Sequence, residues 1–394
     1  MMDVGIWEYK CVYQDRELTV NSENGTLHIR LEDERYSVVR ATLPVYGIQE
    51  RWFYRIAVDV TADGLDCHLL LTWVDETGKE LVKEHMPADY RTLAPEGAIT
   101  AMVEVLVCGK GAGNVTVTSV SMEPDAPYTA RPVRVCAIAC DMESPNVDAV
   151  PFAESMAYQL HLIDQVAGHK PDMVVLTENA YQTLEDKRPS TAVRLDGEEV
   201  AKLKEKARQY NTYISCSLLE VDDDGVRHNT AVLINRQGQL QNFRRKTHLT
   251  INEVEAGMPL LDEPLEVWDT DFGKVGVLVC WEHFFPEAVR VLTLQGMELL
   301  LIPTHGFDMS RAVSRAMDNG IYLATSHVWS RDTVIVGPDG KVVDTGDGKG
   351  YAFAEIDLNT PRHIFWLSYP ANMIPNNVYI NQRREGLYGL ISGR

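Results

Sequence analysis

Three side chains that could take part in covalent catalysis stand near the ends of strand-like runs. Glu178 follows PDMVVLT, Lys246 follows NFRR, and Cys280 follows KVGVLV. A thiolate can attack a carbonyl carbon, and a carboxylate can accept the thiol proton. An ammonium group can stabilise the negative charge that develops on the carbonyl oxygen. Together the three residue types supply what acyl transfer through a thioester needs, although a lone glutamate at a strand end or a lone lysine in a basic run is more often a solvated surface residue.

The segment around the cysteine, FGKVGVLVCWEHFFPEAVRVL, is the most informative of the three. An apolar strand ends at Cys280, and a helical pattern begins near Pro286. This strand, elbow and helix would lift the sulfur out of the sheet and aim backbone N–H groups at the atom under attack. A cysteine that only fills the core more often stays within its strand. On this segment alone Cys280 is either a core cysteine or a nucleophile, and its occurrence together with the Glu178 and Lys246 segments indicates the nucleophile.

The elements that position these residues alternate between strands and helices. Apolar runs such as DMVVLTEN, NTAVLIN and MELLLIPT are interleaved with two helical stretches, AESMAYQLHLIDQVAGH and GEEVAKLKEKARQY. Alternation of this kind predicts a layered α/β domain.

The N-terminal third follows a different pattern. From Trp7 onward, short alternating runs such as WFYRIAVDV and NVTVTSVSM are separated by turn residues, as in ENGT at Glu23–Thr26 and DETGK at Asp75–Lys79. This pattern predicts an all-β sandwich of about eight strands. It resembles the jelly-roll of galactose-binding-like and carbohydrate-binding modules. The resemblance leaves two roles open: a sugar site, or a packing or oligomerisation module.

The three catalytic segments occur in the order of the nitrilase-like carbon-nitrogen hydrolase superfamily, which the chain resembles from Val133 to Ile391. RHNTAVLINRQGQL resembles the hairpin before the family's lysine, and RAMDNGIYLATSH the helix and strand after its cysteine. TVIVGPDGKVVDTG and FAEIDL resemble the closing hairpin and the last strand. The resemblance implies a four-layer α-β-β-α sandwich.

Domain boundaries follow from these two patterns. The segment EPDAPYTARPV carries three prolines and no periodicity, which is typical of a linker. The expected organisation is a jelly-roll-like sandwich at 1–126, a linker at 127–133, a hydrolase domain at 134–359 and a C-terminal extension at 360–394.

The resemblance also implies roles for individual residues. Glu178 would be the general base, while Lys246 and the backbone N–H of Trp281 would stabilise the oxyanion. A second glutamate would orient the lysine and the substrate. We assign it to Glu253, with Glu255 as the alternative.

Three further residues near the strand ends have less specific expected roles. His305 follows a strand that would border the pocket, so we expect it to contact substrate, with an exposed loop histidine as the alternative. Glu282 and His283 are expected to hold the elbow in shape through local hydrogen bonds.

The expected reaction is hydrolysis of an amide or N-carbamoyl amine in a small molecule. Nitrile hydrolysis is the near alternative, because CWEH also resembles the cysteine segment of nitrilases. A third hypothesis is a glycan-binding protein whose hydrolase domain is degenerate. No metal or cofactor is expected, because cysteine, glutamate and lysine complete the chemistry.

Composition and charge argue against nucleic acid and membranes as partners, and against secretion. The formal charge of −20 disfavours nucleic acid and anionic membranes. The first ten residues do not resemble a signal peptide, and no apolar run approaches the roughly 20 residues that span a bilayer. The seven cysteines are interpreted as reduced thiols. We therefore predict a cytoplasmic protein, and the family resemblance implies a homodimer or a larger homo-oligomer.

Overall fold

The structure is a computed structural model. It describes residues 3–13, 18–23, 25–32, 36–140, 152–180, 184–185, 188–189, 191–360, 363–365, 373–375, 383–389 and 391. The chain divides into two compact units. One comprises Met1–Thr129 with Pro361–Arg394, and the other comprises Ala130–Thr360.

The first unit contains two antiparallel sheets. Their strands are β1 (Asp3–Val4), β2 (Glu8–Tyr13), β3 (Leu18–Glu23), β4 (Thr26–Leu31), β5 (Ser37–Tyr46), β6 (Trp52–Asp63), β7 (Asp66–Val74), β8 (Glu80–His85), β9 (Asp89–Leu93), β10 (Thr100–Gly109) and β11 (Gly113–Pro127). One sheet has the order β1-β5-β10-β7-β8, with β2 also paired to β5, and the other has the order β3-β4-β11-β6-β9.

Both sheets contribute to one hydrophobic core, so this unit is a β-sandwich. Trp73 from the first sheet and Tyr54 from the second are among its largest fully buried side chains, with ring centroids 5.9 Å apart. The jelly-roll assignment, which is a finer statement about strand connectivity, stays a prediction.

The expected number of about eight strands was too low, since the described residues form eleven. The strands β1, β2 and β3 lie in a polar stretch whose alternation is weak, which is common for strands near sheet edges. Both predicted turns are confirmed. Gly25 and Gly78 each have a φ of +83°, which a side chain would strain.

Strand residues occur at both ends of the segment predicted as a linker, 127–133. Strand β11 continues to Pro127, which pairs with Trp52. A register shift interrupts the pairing between Pro124 and Ala126. The next strand begins at Pro132. Prolines are tolerated in strands at bulges and at first positions, because no ladder hydrogen bond is then lost. Only 128–131 lie between the two strands, and the domain boundaries themselves stay predictions.

The second unit contains two six-stranded sheets with the orders β18-β17-β16-β13-β12-β25 and β19-β20-β21-β22-β23-β24. The strands are β12 (Pro132–Ile138), β13 (Met173–Val175), β14 (Leu184–Glu185), β15 (Arg188–Pro189), β16 (Tyr213–Val221), β17 (Arg227–Ile234), β18 (Leu240–Arg245), β19 (Trp268–Asp269), β20 (Lys274–Val277), β21 (Leu299–Thr304), β22 (Tyr322–His327), β23 (Val334–Val336), β24 (Val342–Thr345) and β25 (Tyr351–Asp357). Strands β14 and β15 form a separate hairpin.

The described residues of this unit also form five α-helices. They are α1 (Phe152–Val166), α2 (Glu198–Tyr210), α3 (Ile251–Glu255), α4 (Pro286–Leu294) and α5 (Met309–Asn319). The two predicted helical stretches and the predicted helix start at Pro286 are confirmed. Helix α2 is amphipathic, since Val200, Leu203 and Ala207 recur at helical spacing and are buried.

The distribution of buried side chains produces four layers. One core cluster joins the facing surfaces of the two sheets, with Val135 and Val175 from one sheet and Leu301 from the other. A second cluster lies between the first sheet and helices α1 and α2. A third lies between the second sheet and helices α4 and α5. The predicted α-β-β-α sandwich is thus confirmed.

The C-terminal segment is described only in part. It contains the short pair β26 (His363–Phe365) and β27 (Met373–Pro375) and a turn at Glu385–Leu387. The family resemblance predicts that this extension, with its aromatic stretch HIFWLSYP, takes part in an oligomer interface. Residues 366–370 of that stretch lie outside the described residues, and self-association stays a prediction. Within the described residues, no helix combines the length and apolar character needed to cross a membrane.

Candidate active site

The tertiary structure brings Glu178, Lys246 and Glu253 into direct contact. Glu178 follows β13, and Lys246 directly follows β18 of the same sheet. The Lys246 Nζ atom lies 3.0 Å from Glu178 Oε1 and 2.9 Å from Glu253 Oε1. Lys246 is 2% exposed and Glu178 is 5% exposed. The arrangement is a buried ammonium held between two carboxylates.

Cys280 comes from the other sheet, at the start of a 3-10 turn that follows β20. Its φ of +47° lies in the left-handed region, which costs a non-glycine residue roughly 1–2 kcal/mol. Strain of this size persists where the surrounding structure demands it, and it clusters at functional sites. The predicted elbow is therefore present in the backbone conformation of Cys280 itself.

The electrostatics of the cluster define its resting protonation state. Burial raises the pKa of Cys280 to about 11; the charge of Glu178 also raises it, and that of Lys246 lowers it. Burial alone would raise the pKa of Glu178, but Lys246 and then His305 lower that pKa to about 2. At neutral pH the site therefore holds a thiol and a carboxylate.

The conformation of Glu253 depends on a helix cap. Thr250 caps α3, and its N–H and hydroxyl donate to Glu253 Oε2 at 2.7 and 2.9 Å. This capping box leaves Oε1 free to accept from Lys246. The alternative residue, Glu255, is exposed at the end of the same short helix. The geometry thus places Glu253 beside the lysine.

His305 lies against Glu178. Its backbone N–H donates to Glu178 Oε2 at 3.2 Å, and its ring Nε2 donates to the Glu178 carbonyl oxygen at 2.8 Å. His327 Nε2 donates in turn to the carbonyl oxygen of His305 at 2.8 Å. These bonds hold the Glu178 loop in place. A substrate contact by His305 or by Trp281, which is 39% exposed, stays a prediction.

Glu282 connects the cysteine elbow to the lysine segment. Its carboxylate accepts from the Val279 N–H at 2.9 Å, as expected for a residue that holds the elbow. It also accepts two bonds from the Arg244 guanidinium, at 2.9 and 2.6 Å, and one from the Thr247 N–H at 3.0 Å. Because Arg244 and Thr247 flank Lys246, this carboxylate sets the position of the lysine segment relative to Cys280.

His283 closes the elbow from the other side. Its ring Nδ1 is hydrogen-bonded to the carbonyl oxygen of Cys280. Burial lowers the pKa of His283 to about 4, so its ring is neutral at physiological pH and Nδ1 carries the donated proton. The expectation that Glu282 and His283 hold the elbow through local hydrogen bonds agrees with these contacts.

Comparison with known proteins identifies the family. The model of the carbon-nitrogen hydrolase family matches residues 140–364, which is more than half of the 394 residues. The chain belongs to this family. It is therefore an enzyme of the carbon-nitrogen hydrolase class.

Named relatives align with parts of this hydrolase. A citrullinase from Francisella tularensis is 34% identical over 124 residues, which cover 29% of this chain and 41% of the relative. The chain thus spans less than half of that relative. The omega-amidase NIT2 of Danio rerio is 26% identical over 269 residues, which cover 61% of this chain and 92% of the relative.

Solved structures share the fold of the hydrolase unit. A carbon-nitrogen hydrolase from Helicobacter pylori matches with a TM-score of 0.53 at 21% identity. The match covers 68% of this chain and 100% of the Helicobacter chain. An amidase from Nesterenkonia sp. matches with a TM-score of 0.51 at 18% identity, over 67% and 97% of the two chains. These matches concern the fold alone.

The ion pair between Arg244 and Glu282 leads to a stability prediction for this hydrolase. The variant Glu282→Gln keeps the shape of the side chain but leaves the Arg244 charge buried and unpaired. We expect the free energy of unfolding to fall by about 3–5 kcal/mol, measured by urea denaturation. The matched control is Glu32→Gln, because Glu32 pairs with Arg30 on the surface and such pairs contribute roughly 0–1 kcal/mol. Equal losses in the two variants would contradict the prediction.

The sequence-based reasoning did not find two residues of this site. Asn229 on β17 contacts both Glu178 and Glu253, and Arg244 on β18 contacts Glu282. The available signal was a polar residue inside a strand that is otherwise apolar, as in HNTAVLI. Such a residue needs a buried hydrogen-bond partner, but the partner's identity depends on the fold.

The described part of the chain contains no cluster of three or more histidine, cysteine, aspartate or glutamate side chains arranged to hold a metal ion.

Proposed function

We propose that this enzyme hydrolyses the C–N bond of an amide or an N-carbamoyl amine in a small molecule, through a thioester on Cys280. The observation that carries the proposal is the buried Lys246 ammonium, held between Glu178 and Glu253. Relatives named as an omega-amidase and a citrullinase support this substrate class.

The first half of the reaction forms the acyl-enzyme. Glu178 accepts the proton of Cys280 as Sγ bonds to the carbonyl carbon, and negative charge passes to the carbonyl oxygen. The Lys246 ammonium and the Trp281 backbone N–H stabilise this oxyanion. The C–N bond then breaks, and the leaving amine takes the proton from Glu178.

The second half releases the acyl group. Glu178 accepts a proton from water as the water oxygen attacks the thioester carbon. The C–S bond breaks, and the Cys280 sulfur recovers the proton from Glu178. The products are the amine and a carboxylic acid, or a carbamic acid when the acyl group is carbamoyl.

The resting protonation states of Glu178 and Cys280 provide a proton acceptor and a proton donor. Its pKa, lowered to about 2 by Lys246 and His305 against the effect of burial, keeps it available as a base across the physiological range. The thiol pKa of about 11, raised by burial and by Glu178, means that proton transfer must accompany sulfur attack. A base beside the thiol is therefore required.

Intact-protein mass spectrometry during turnover tests the proposal. The substrates are a pooled set of amides, N-carbamoyl amines and nitriles, and the proteins are the wild type, Cys280→Ala and the matched control Cys67→Ala. We expect an acyl adduct on the wild type and on Cys67→Ala but not on Cys280→Ala. The mass of the adduct identifies the acyl half of the substrate. Turnover of nitriles alone would falsify the amidase proposal.

A further inference from the structure

The side chain of Asn229 completes a ring of hydrogen bonds around the catalytic charges. Its Nδ2 atom donates to Glu178 Oε1 and to Glu253 Oε1, both at 2.8 Å. Lys246 Nζ donates to the same two oxygens. Two donors and two acceptors thus alternate around a closed ring, and Asn229 is 1% exposed.

Only one orientation of the Asn229 amide fits this ring. Carboxylate oxygens accept hydrogen bonds, so the NH₂ group must face them, and a flipped amide would place an oxygen against two negative charges. In this orientation Oδ1 is buried without a hydrogen-bond partner among the described residues. An orphaned acceptor of this kind costs roughly 1–3 kcal/mol. Two N–H bonds to the catalytic carboxylates offset that cost.

The backbone of Asn229 is rigid. Asn229 pairs with Leu219 within the sheet, and its carbonyl oxygen accepts from the Lys246 N–H at 2.8 Å. The amide nitrogen is therefore held on an ordered strand beside the lysine, and both carboxylates must adapt to its position.

The ring has a consequence for proton transfer. Glu178 Oε1 accepts from both Lys246 and Asn229, which uses the two lone pairs of that oxygen. Among the N–H donors of the described residues, only that of His305 bonds to Glu178 Oε2. A lone pair on Oε2 is therefore left for the Cys280 proton.

We propose that Asn229 is a positioning residue that locks the two glutamates around Lys246 and makes Glu178 Oε2 the proton-accepting atom. This inference rests on the proposed function. Asn229 contributes two N–H donors without adding a charge, so the ring keeps its balance of one ammonium and two carboxylates. The N–H dipoles also offset part of the negative potential that Glu178 exerts on the thiol of Cys280.

The test compares Asn229→Ala with the matched control Asn319→Ala. Asn319 is also buried, donates from Nδ2, and has an unpartnered Oδ1 within the described residues, but it lies on α5 and bonds to the carbonyl oxygen of Arg315. For Asn229→Ala we expect kcat to fall about 100-fold while KM changes little, because a misplaced catalytic group costs about this factor. Asn319→Ala should keep the wild-type kcat.

A second measurement does not need a substrate. Iodoacetamide alkylation of Cys280 at pH 8 should slow by about threefold to tenfold in Asn229→Ala. Without the Asn229 N–H donors, the charge of Glu178 is less compensated and raises the pKa of the Cys280 thiol further, so less thiolate is present. Alkylation in Asn319→Ala should match the wild type. This measurement separates the two proposals, since it still reports on Asn229 if no amide is turned over by the wild type.

The isosteric variant Asn229→Asp covers the case in which Asn229→Ala does not fold. It preserves side-chain shape but replaces the donor with an oxygen, so we expect a loss of kcat at least as large. The proposal is overturned if Asn229→Asp keeps wild-type kcat and alkylation. It is also overturned if Asn229→Ala and Asn319→Ala lose kcat equally without a change in alkylation.

Discussion

The variant Glu178→Gln should lower kcat/KM by about 10³-fold, within the range for loss of a general base, and should at the same time make Cys280 easier to ionise. Glutamine cannot accept the thiol proton, so attack and amine release both lose their proton carrier. The charge of Glu178, which helps to raise the pKa of the thiol, disappears while Lys246 remains. Catalysis and thiol ionisation should therefore change in opposite directions.

The measurements are kcat/KM on the best amide and the pH midpoint of Cys280 alkylation by iodoacetamide. The control is Glu84→Gln in the sandwich. Glu84 is also a buried carboxylate, and it accepts from Trp73 and Tyr90 at 3.0 and 2.7 Å. We expect Glu84→Gln to leave both measurements at wild-type values. A kcat/KM within about tenfold of wild type in Glu178→Gln would show that another group is the base.

The variant Lys246→Met should show the largest combined loss of activity and stability. It removes the cation that both carboxylates contact, together with the proposed charge stabilisation of the oxyanion. We expect kcat/KM to fall by about 10³-fold or more, as for loss of preorganised electrostatic stabilisation. The free energy of unfolding should fall by about 3–5 kcal/mol at pH 8, because a buried ion pair has lost one partner.

The stability loss in Lys246→Met should depend on pH in a defined direction. In the wild type, Lys246 and His305 outweigh burial and lower the pKa of Glu178 to about 2. The contribution of Glu178 to the free energy of unfolding of the wild type is therefore fully present above the unfolded-state pKa. It is lost as pH falls through the folded-state pKa of about 2. Without Lys246, burial and the nearby Glu253 should raise that pKa above its unfolded value, so the variant should lose stability as pH rises.

Urea denaturation at pH 5 and pH 8 measures this dependence. The deficit of Lys246→Met relative to wild type should be smaller at pH 5. The double variant Lys246→Met/Glu253→Gln should recover part of the stability at pH 8, because one buried carboxylate is gone, but none of the activity. Equal deficits at both pH values would show that Lys246 acts through packing rather than charge.

Sequence-based reasoning predicted the features that depend on the order of residues within short segments. The elbow at Cys280, the start of α4 at Pro286 and the bounds of α2 each follow from the order of apolar, polar and turn-forming residues within a short segment. The layered α/β unit follows from the alternation of such segments. Glu178, Lys246 and Cys280 were predicted because their three segments occur in the order of the family that the chain resembles, each at the end of a strand-like run.

Other features depended on contacts between distant parts of the chain. Asn229 acts on Glu178, which is 51 positions away, and Arg244 on Glu282, which is 38 positions away. Sheet order and register decide these pairings, and neither is determined by periodicity within one strand. The choice of Glu253 over Glu255 beside Lys246 likewise depends on the helix cap at Thr250.

The sequence by itself determined the types of the reactive groups and the elements that carry them, because both are properties of short segments. The tertiary structure decided their mutual distances and protonation states. Burial and neighbouring charges set the pKa values of Glu178 and Cys280. Glu178 and Lys246 follow strands of one sheet, whereas Cys280 and His305 follow strands of the other, so all four groups act on one another only after the sheets have packed face to face.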